Sequence, residues 1–368
     1  MALVAAAVCA VALLFYLYHS LVGRRRGLPP GPMPLPLFGH LLHLDRSRIG
    51  DSISELGRAY GPVFTLFLPA PVVVLNDYES IHKTMVKQAA AFAARPPRTV
   101  LTETYSRGPY GLSRVTGDAF NRQRRFALHA LRDLGFGRDS MEARIQEQAD
   151  LLVAVLNAIN GLVFGKTYPL EERSVLAVRD LLDAQLVELA NPLLRYITLV
   201  PAMRHLPPFR RAVRRLEWVN ERFLLDFVER EVEARRADFF SKEGAETPTD
   251  FASAFMKEMA EGGAEEAPHV FNHWQLLTSC GDLWMAGFAS LSATVLWGVL
   301  YLLHNPQIQR RAREEIHQLK GRDGRVGLAD KHLLPYTSAL INEVLRVSNI
   351  VPINIERATS TRSANVNG

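Results

Sequence analysis

The stretch DLWMAGFASLSATVLWGVLYLLHNP, residues 282–306, decides how the rest of the sequence is interpreted. Residues 283–303 carry no charge, and a helix of that length measures about 30 Å at ~1.5 Å per residue. Because the segment is apolar on every side, we expect it to lie in a large core or in a bilayer.

Small residues recur along this segment. Gly287, Ser290, Thr294 and Gly298 follow one another at spacings of three or four, which predicts that they share one helix face. Such a face is a shallow groove that a flat, rigid ligand fits, and we expect bulkier residues to border it, namely Phe288, Leu291 and Trp297. Two other interpretations are close packing between membrane helices and an ordinary buried helix with incidental small residues.

The amino-terminal residues 2–22 form an apolar run of membrane-spanning length that three arginines follow, at 24–26. Basic residues after the apolar run, and none before it, favour an uncleaved anchor with the protein body in the cytosol over a cleaved signal peptide. LPPGPMPLPLFGH, residues 28–40, is too rich in proline for helix or central strand. It predicts a stiff connector, with a plain linker or a partner-binding motif as alternatives.

Length and composition indicate a globular chain of 368 residues with one large domain or two ordinary ones. The net charge of +5 is spread along the chain without a long basic run, so we expect no nucleic acid as a partner. Two cysteines, Cys9 and Cys280, cannot make a disulfide framework.

The order of patterns along the chain predicts a mainly α protein with a small β-sheet. Residues 63–68 and 72–75 are β-branched and aromatic runs around a proline-containing turn at 69–71, which is typical of a β-hairpin. From Tyr78 onward the periodicity is helical, apart from loops.

Two helical segments carry arginines whose placement is informative. In residues 119–134 a basic strip shares one face, while Arg124 falls on the opposite side with apolar residues. A buried guanidinium needs an anion, which a core carboxylate or a ligand carboxylate would supply. Near the end, Glu343 and Arg346 are three residues apart, a spacing that is common on helix surfaces. The basic strip comprises Arg122, Arg125, His129 and Arg132.

Taken in order, these segments resemble the cytochrome P-450 family, in its microsomal type closest to family 2. The resemblance runs through the anchor, LPPGP, YGPVFTLFL, AFAARP, FNRQRRFALHALRDLGFG, the long apolar helix and INEVLRVSNIVPIN with its E-x-x-R. It implies a membrane anchor at 1–23, a basic, proline-rich hinge at 24–40 and a partial haem domain at 41–368. The implied fold is an incomplete cytochrome P-450 fold after one transmembrane helix.

The resemblance also implies a haem monooxygenase that uses O2 and electrons from an NADPH-dependent reductase. Ala286 and Gly287 would lie over the porphyrin, and Arg124 and Arg95 would pair with its propionates. Phe120 stands where the family has tryptophan and so lacks an N–H donor. Glu343 and Arg346 would be structural, and the basic face Arg122, Arg125 and Arg132 would bind the reductase or simply be solvated.

The same resemblance implies a small hydrophobic substrate that arrives from the endoplasmic reticulum membrane. The loop 99–117 would line its pocket, together with Phe288, Ala289, Val351 and Ile355. The family pairs an acid with a threonine for proton delivery, whereas this chain has Ala289 and Ser290, which leaves Ser290 as the catalytic candidate.

Two further departures bear on activity. Helical residues up to Val155 run almost directly into NAINGLVFGKTYP, which predicts an internal deletion. The sequence given holds no F-x-x-G-x-R-x-C loop, so we expect the axial thiolate, and any other metal ligand, to be absent from residues 1–368. The alternative function is therefore a catalytically inactive, membrane-anchored fragment that cannot ligate haem iron. A third alternative is a multi-span membrane protein.

Overall fold

The structure is a computed structural model, and it describes a defined part of the chain. Ile355, Cys9 and the predicted anchor at 2–22 lie outside that part. The described residues are 27–35, 39–40, 43–45, 48–68, 70–96, 103–104, 107–108, 110–135, 151–168, 180–181, 183–185, 187–188, 191, 193–194, 197, 201–241, 247–352 and 357–359.

The chain divides into two compact units. The first comprises Met1–Thr102, Leu189–Arg214 and Pro352–Gly368, and the second Glu103–Glu188 and Arg215–Val351. The described elements are mostly helices with one two-stranded sheet, as the sequence predicts.

The first unit contains the predicted hairpin. Helix α1, Ile49–Tyr60, leads into strands β1, Val63–Leu68, and β2, Ala70–Leu75, which pair antiparallel from Val63↔Leu75 to Leu68↔Ala70. β2 begins two residues earlier than the sequence pattern predicts and includes Pro71, which an edge strand tolerates. Helix α2, Tyr78–Ile81, follows and continues as a π-helical turn, His82–Lys87.

The proline-rich connector lies along the other edge of β1. The backbone N–H of Thr65 donates to the carbonyl of Pro30 (2.8 Å), and its hydroxyl donates to the carbonyl of Pro29 (2.9 Å). Farther along, the N–H of Phe67 donates to Nδ1 of the buried His40 (2.8 Å), and the His40 N–H donates to the Phe67 carbonyl (2.8 Å). Prolines offer carbonyls without N–H donors, so this segment covers the edge that β2 leaves open.

The second unit is helical in its described residues. Helix α5 begins in the first unit and continues into the second, where a π-helical stretch, Arg222–Glu229, joins it to α6. The helices are α3, Gly117–Asp133; α4, Leu151–Phe164; α5, Pro207–Glu221; α6, Arg230–Ser241; α7, Phe251–Glu258; α8, His273–His304; α9, Pro306–Lys320; and α10, Pro335–Ser348.

An aromatic core holds these helices around the first half of α8. Phe126 of α3 makes edge-to-face contacts with Phe251, Phe255 and Phe271, with centroid distances of 5.3–5.8 Å. Trp284 of α8 is fully buried, and the other aromatic residues around it are Phe223, Phe227 and Phe288. Edge-to-face pairs at these distances add to the hydrophobic gain of burial.

The long helix α8 changes environment along its length. It has 32 residues, starting ten before the apolar stretch, and residues 275–282 are buried, whereas many of those after Ala289 are exposed. In the part of the chain that the structure describes, α8 alone is long and apolar enough to cross a membrane, with a mean hydropathy of 1.7. A core helix meets the same criterion, and the buried first half of α8 packs as one.

Candidate functional site

The small residues of α8 do not form one open groove, contrary to the prediction. Gly287 faces α4, where a Cβ would overlap Cδ1 of Ile159. Gly298 faces α10, and a Cβ there would lie 3.6 Å from Cγ1 of Val344. These glycines let neighbouring helices approach, so Gly287 cannot offer its flank to a ligand. The predicted spacing is present in α8, but different helices cover Gly287 and Gly298.

Ala286 and Ser290 form the open part of this flank. Both are exposed, they are four residues apart, and so they lie one above the other on the helix. The Ser290 hydroxyl donates to the Ala286 carbonyl (2.6 Å), and the Thr294 hydroxyl donates to the Ser290 carbonyl (2.8 Å). The Ser290 proton is therefore held within the helix and reaches a ligand only after a rotation of the side chain.

The other predicted pocket residues are dispersed. Phe288 is buried and stacks on Trp284 at 5.1 Å between ring centroids, so it faces the core and does not border the groove as predicted. Ala289 is half-buried on α8, and Val351 is exposed just after α10. Of these three residues, Ala289 and Val351 have accessible surface in the structure.

Arg124 lies on the exposed side of α3, which corrects the prediction that it faces inward. The buried residues of α3 are Gln123, Ala127 and Ala130, and the Gln123 side-chain amide donates to the Val270 carbonyl. Arg124 follows Gln123 at the edge of this buried face, and its guanidinium carbon lies 6.0 Å from the centroid of the half-buried Phe120 ring. Among the described residues no carboxylate lies within salt-bridge distance of Arg124.

The predicted basic strip is exposed. Arg122, Arg125, His129 and Arg132 all lie on the solvent side of α3, and Arg122 pairs with Asp118 at 3.1 Å. With Arg124, three of these residues line a shallow depression on the same helix. The residues that line it are Asp118, Asn121, Arg124, Arg125, Leu128, His129 and Arg132.

Glu343 and Arg346 form the ion pair that their spacing predicts. Arg346 donates to both carboxylate oxygens of Glu343, at 2.6 and 2.8 Å. These bonds lower the pKa of Glu343 and raise the pKa of Arg346. Both side chains are exposed, so the pair adds little to stability as it stands.

Sequence reasoning missed contacts that depend on long-range packing. Glu315 of α9 accepts the backbone N–H groups of Tyr336 (2.8 Å) and Thr337 (2.7 Å), which caps the start of α10 from another helix. On α8, Gln275 and Asp282 accept backbone N–H groups from the turn before α3. The only signal in the sequence for Gln275 and Asp282 was that they are polar residues ahead of the uncharged run 283–303.

Arg95 and Cys280 complete the placement of the sequence candidates. Arg95 is half-buried in the first unit, next to the bridge in which the Ala358 N–H donates to the Ala94 carbonyl (2.8 Å). Cys280 is fully buried in the core of the second unit, and burial raises the pKa of its thiol well above the ordinary value. A thiol so placed behaves as a small apolar side chain.

Comparison with known proteins identifies the family of this chain. The family model for Cytochrome P450 matches residues 29–158 and 150–368, two segments that meet near the predicted internal deletion, which itself stays a prediction. Cytochrome P450 2A9 of Mesocricetus auratus is 31% identical, with 91% of this chain and 70% of the relative aligned. Cytochrome P450 2D19 of Callithrix jacchus and 2D6 of Homo sapiens are each 33% identical, with 94% of this chain and 73% of the relative aligned. The three relatives named above are microsomal members of family 2, and the chain therefore belongs to the cytochrome P450 family of monooxygenases.

Proposed function

We propose that the protein is a haem-thiolate monooxygenase that oxidises a small hydrophobic substrate with O2 and reductase-supplied electrons. The observation that carries this proposal is the open flank of α8 at Ala286 and Ser290, where small side chains leave room for a flat group. Haem, when bound, supplies the iron at which dioxygen is activated. The methyl of Ala286 and the short side chain of Ser290 would set the closest approach of such a group to α8.

Arg124 would hold the anionic edge of the haem. Its guanidinium is exposed and lies near no carboxylate of the described residues, so a charge-assisted bond to a carboxylate of the haem would not compete with an existing ion pair. Phe120 lies under the guanidinium and restricts its position, but it offers no N–H to the same carboxylate. The propionate role of Arg95 stays a prediction.

Ser290 would deliver the proton that the reaction with dioxygen requires. Its hydroxyl now donates to the Ala286 carbonyl, and a turn about χ1 would redirect it away from the helix. Ala289, the preceding residue, carries no carboxylate that could replenish the proton. We therefore expect proton delivery to depend on Ser290 and solvent.

The exposed basic face Arg122, Arg125 and Arg132 supports a docking surface for an acidic, NADPH-dependent reductase. Charge complementarity of this kind speeds encounter more than it tightens binding. The apolar residues 2–22 followed by arginines support a single-pass anchor in the endoplasmic reticulum membrane with the domain in the cytosol. A hydrophobic substrate dissolved in that membrane would meet the accessible surfaces of Ala289 and Val351.

A second candidate function is that of a family member without catalytic activity. The absence of an acid at Ala289 favours it, because the chain then lacks the usual proton donor beside Ser290. Cys280 cannot serve as the thiolate ligand of the iron, since it is enclosed in the core and burial favours its protonated form.

The deciding experiment is the absorption spectrum of the protein expressed from its complete reading frame, because residues 1–368 hold no cysteine placed to bind iron; the protein is supplied with haem, reduced and exposed to carbon monoxide. A strongly red-shifted Soret band, together with NADPH- and reductase-dependent oxidation of a hydrophobic probe such as naphthalene, is the expected result. A band at the unshifted position, with no oxidation, would leave the inactive family member as the function.

A further inference from the structure

The indole of Trp284 joins α8 to α4 through a hydrogen bond. Its Nε1–H donates to Oδ1 of Asn160 at 2.6 Å. Trp284 is fully buried and Asn160 is 1% exposed, so neither side chain can bond to bulk water instead. An indole carries one donor and no acceptor, which requires the carbonyl oxygen of the Asn160 amide to face it. The bond therefore connects the two helices at one defined point.

Asn160 is a costly residue for the buried side of an apolar helix. Its amide nitrogen has no hydrogen-bond partner among the residues that the structure describes, and an unpaired buried donor is unfavourable. The other polar residue of α4, Asn157, instead bonds through both ends of its amide, to the N–H (2.8 Å) and the carbonyl (2.9 Å) of Tyr168. A leucine at position 160 would avoid the unpaired donor, so the benefit of Asn160 lies in its bond to Trp284.

The residue before Asn160 contacts α8 at a second position. A Cβ on Gly287 would overlap Cδ1 of Ile159, so the glycine lets Ile159 reach the helix backbone. Trp284 and Gly287 are three residues apart and therefore lie about 60° apart around α8, at ~100° per residue. Two adjacent residues of α4 thus hold two neighbouring positions on one side of α8.

These two contacts determine which side of α8 stays open. At ~100° per residue, Ala286 lies about 160° and Ser290 about 120° around the helix from Trp284. Both therefore point away from α4, which agrees with their exposure. The stacking of Trp284 on Phe288 tolerates a range of ring angles, whereas a hydrogen bond weakens steeply when it is misaligned. The bond to Asn160 is therefore the contact that defines the rotation of α8 about its own axis.

We propose that Asn160 is a positioning residue that sets the rotation of α8, through Trp284, so that Ala286 and Ser290 face the site that would receive haem. The inference deepens the proposed function and rests on it, because the rotation matters for the reaction only if a flat group binds at this flank. Asn160 lies on α4 and contacts neither haem nor substrate in this assignment. It acts only through the helix that it orients.

Thiol labelling of the full chain tests the rotation of α8 without haem. The thiols introduced by Ala286→Cys and Ala289→Cys report two sides of the helix, in a Cys9→Ser background that keeps the buried Cys280. Position 286 is exposed and position 289 half-buried, so we expect the first thiol to react at least about fivefold faster. Addition of Asn160→Leu removes the acceptor and should bring the two rates within about twofold of each other.

Two controls separate the bond from a general loss of stability. Asn160→Asp keeps an acceptor oxygen in a side chain of the same size, and we expect it to retain the wild-type ratio of labelling rates. Val232→Ala removes volume from a fully buried residue of α6 and should destabilise the fold without changing that ratio. An unchanged ratio in Asn160→Leu, or an equal change in Val232→Ala, would overturn the inference.

Haem titration of the protein expressed from its complete reading frame tests what the rotation serves. We expect Asn160→Leu to weaken haem binding about tenfold, with Asn160→Asp and Val232→Ala within about twofold of the wild type. Wild-type affinity in Asn160→Leu, or equal weakening by Val232→Ala, would contradict a positioning role. If the wild-type protein binds no haem, the proposed function fails, whereas the labelling rates still decide whether Asn160 sets the rotation of α8.

Discussion

Single residues on α8 and α10 show how local geometry limits what a side chain can do. The Ser290 hydroxyl donates to the Ala286 carbonyl one turn earlier, and the neighbouring residue, Ala289, has no acidic side chain. Arg346 in turn engages both oxygens of Glu343. In each case a hydrogen bond within one helix fixes the orientation of a side chain. The effect of that bond can be measured.

The Glu343–Arg346 pair predicts a specific pH dependence. Bonding to Arg346 lowers the pKa of Glu343 from its ordinary 4.5, so the pair stabilises the fold above that pH and the contribution is lost as the pH falls through the lowered value. Glu343→Gln should therefore lower Tm slightly at neutral pH, and the difference from wild type should close on acidification. Thermal melts across that range measure it, with Arg346→Gln as the companion variant. A difference that does not vary with pH would contradict this account.

At the scale of elements, Gly287 and Gly298 of α8 differ in how closely their neighbours pack. Gly287 touches Ile159 of α4, where added volume must displace a packed side chain, whereas Gly298 has ordinary contact distance to Val344 of α10. Alanine in a helix interior gains about 1 kcal/mol over glycine, but overpacking costs about 1–3 kcal/mol. The local environment thus decides whether a change from glycine to alanine stabilises or destabilises the fold.

We predict that Gly298→Ala raises the free energy of unfolding by about 0.5–1 kcal/mol. Gly287→Ala should instead lower it by up to about 2 kcal/mol, with partial recovery when Ile159→Val is added. Urea unfolding followed by circular dichroism gives both values. If the two alanine variants shifted stability in the same direction, the assignment of α4 as the neighbour of Gly287 would be wrong.

The elements also show how far sequence reasoning reaches. Alternation and turn residues predict the β1–β2 hairpin, and apolar length predicts α8. The inward placement of Arg124 on α3 was predicted wrongly, because the buried face includes Gln123, whose side-chain amide is bonded to the Val270 carbonyl. The groove predicted on α8 was wrong for a similar reason. Periodicity places Gly287 and Ser290 on one face, but it does not show that Ile159 covers Gly287 and leaves Ser290 exposed.

On the scale of the whole molecule, the exposed basic face of α3 is the surface that the proposed redox partner would meet. Reversal of Arg125 and Arg132 to glutamate should slow association with an acidic reductase about tenfold at low salt and much less at high salt. Stopped-flow mixing with the soluble reductase measures this rate. Arg313→Glu, on the exposed side of α9, is the matched control, and equal slowing by the control would argue against a docking face on α3.

The account depends most on the open flank of α8 as the surface that receives haem. Ala286→Phe fills this flank, while Val299→Phe adds a ring to another exposed position roughly 140° around the same helix. Haem titration of the purified variants, followed at the Soret band, is the direct measurement. We predict that Ala286→Phe weakens haem binding at least about tenfold and that Val299→Phe leaves it unchanged. Equal affinity in both variants and the wild type would contradict the account.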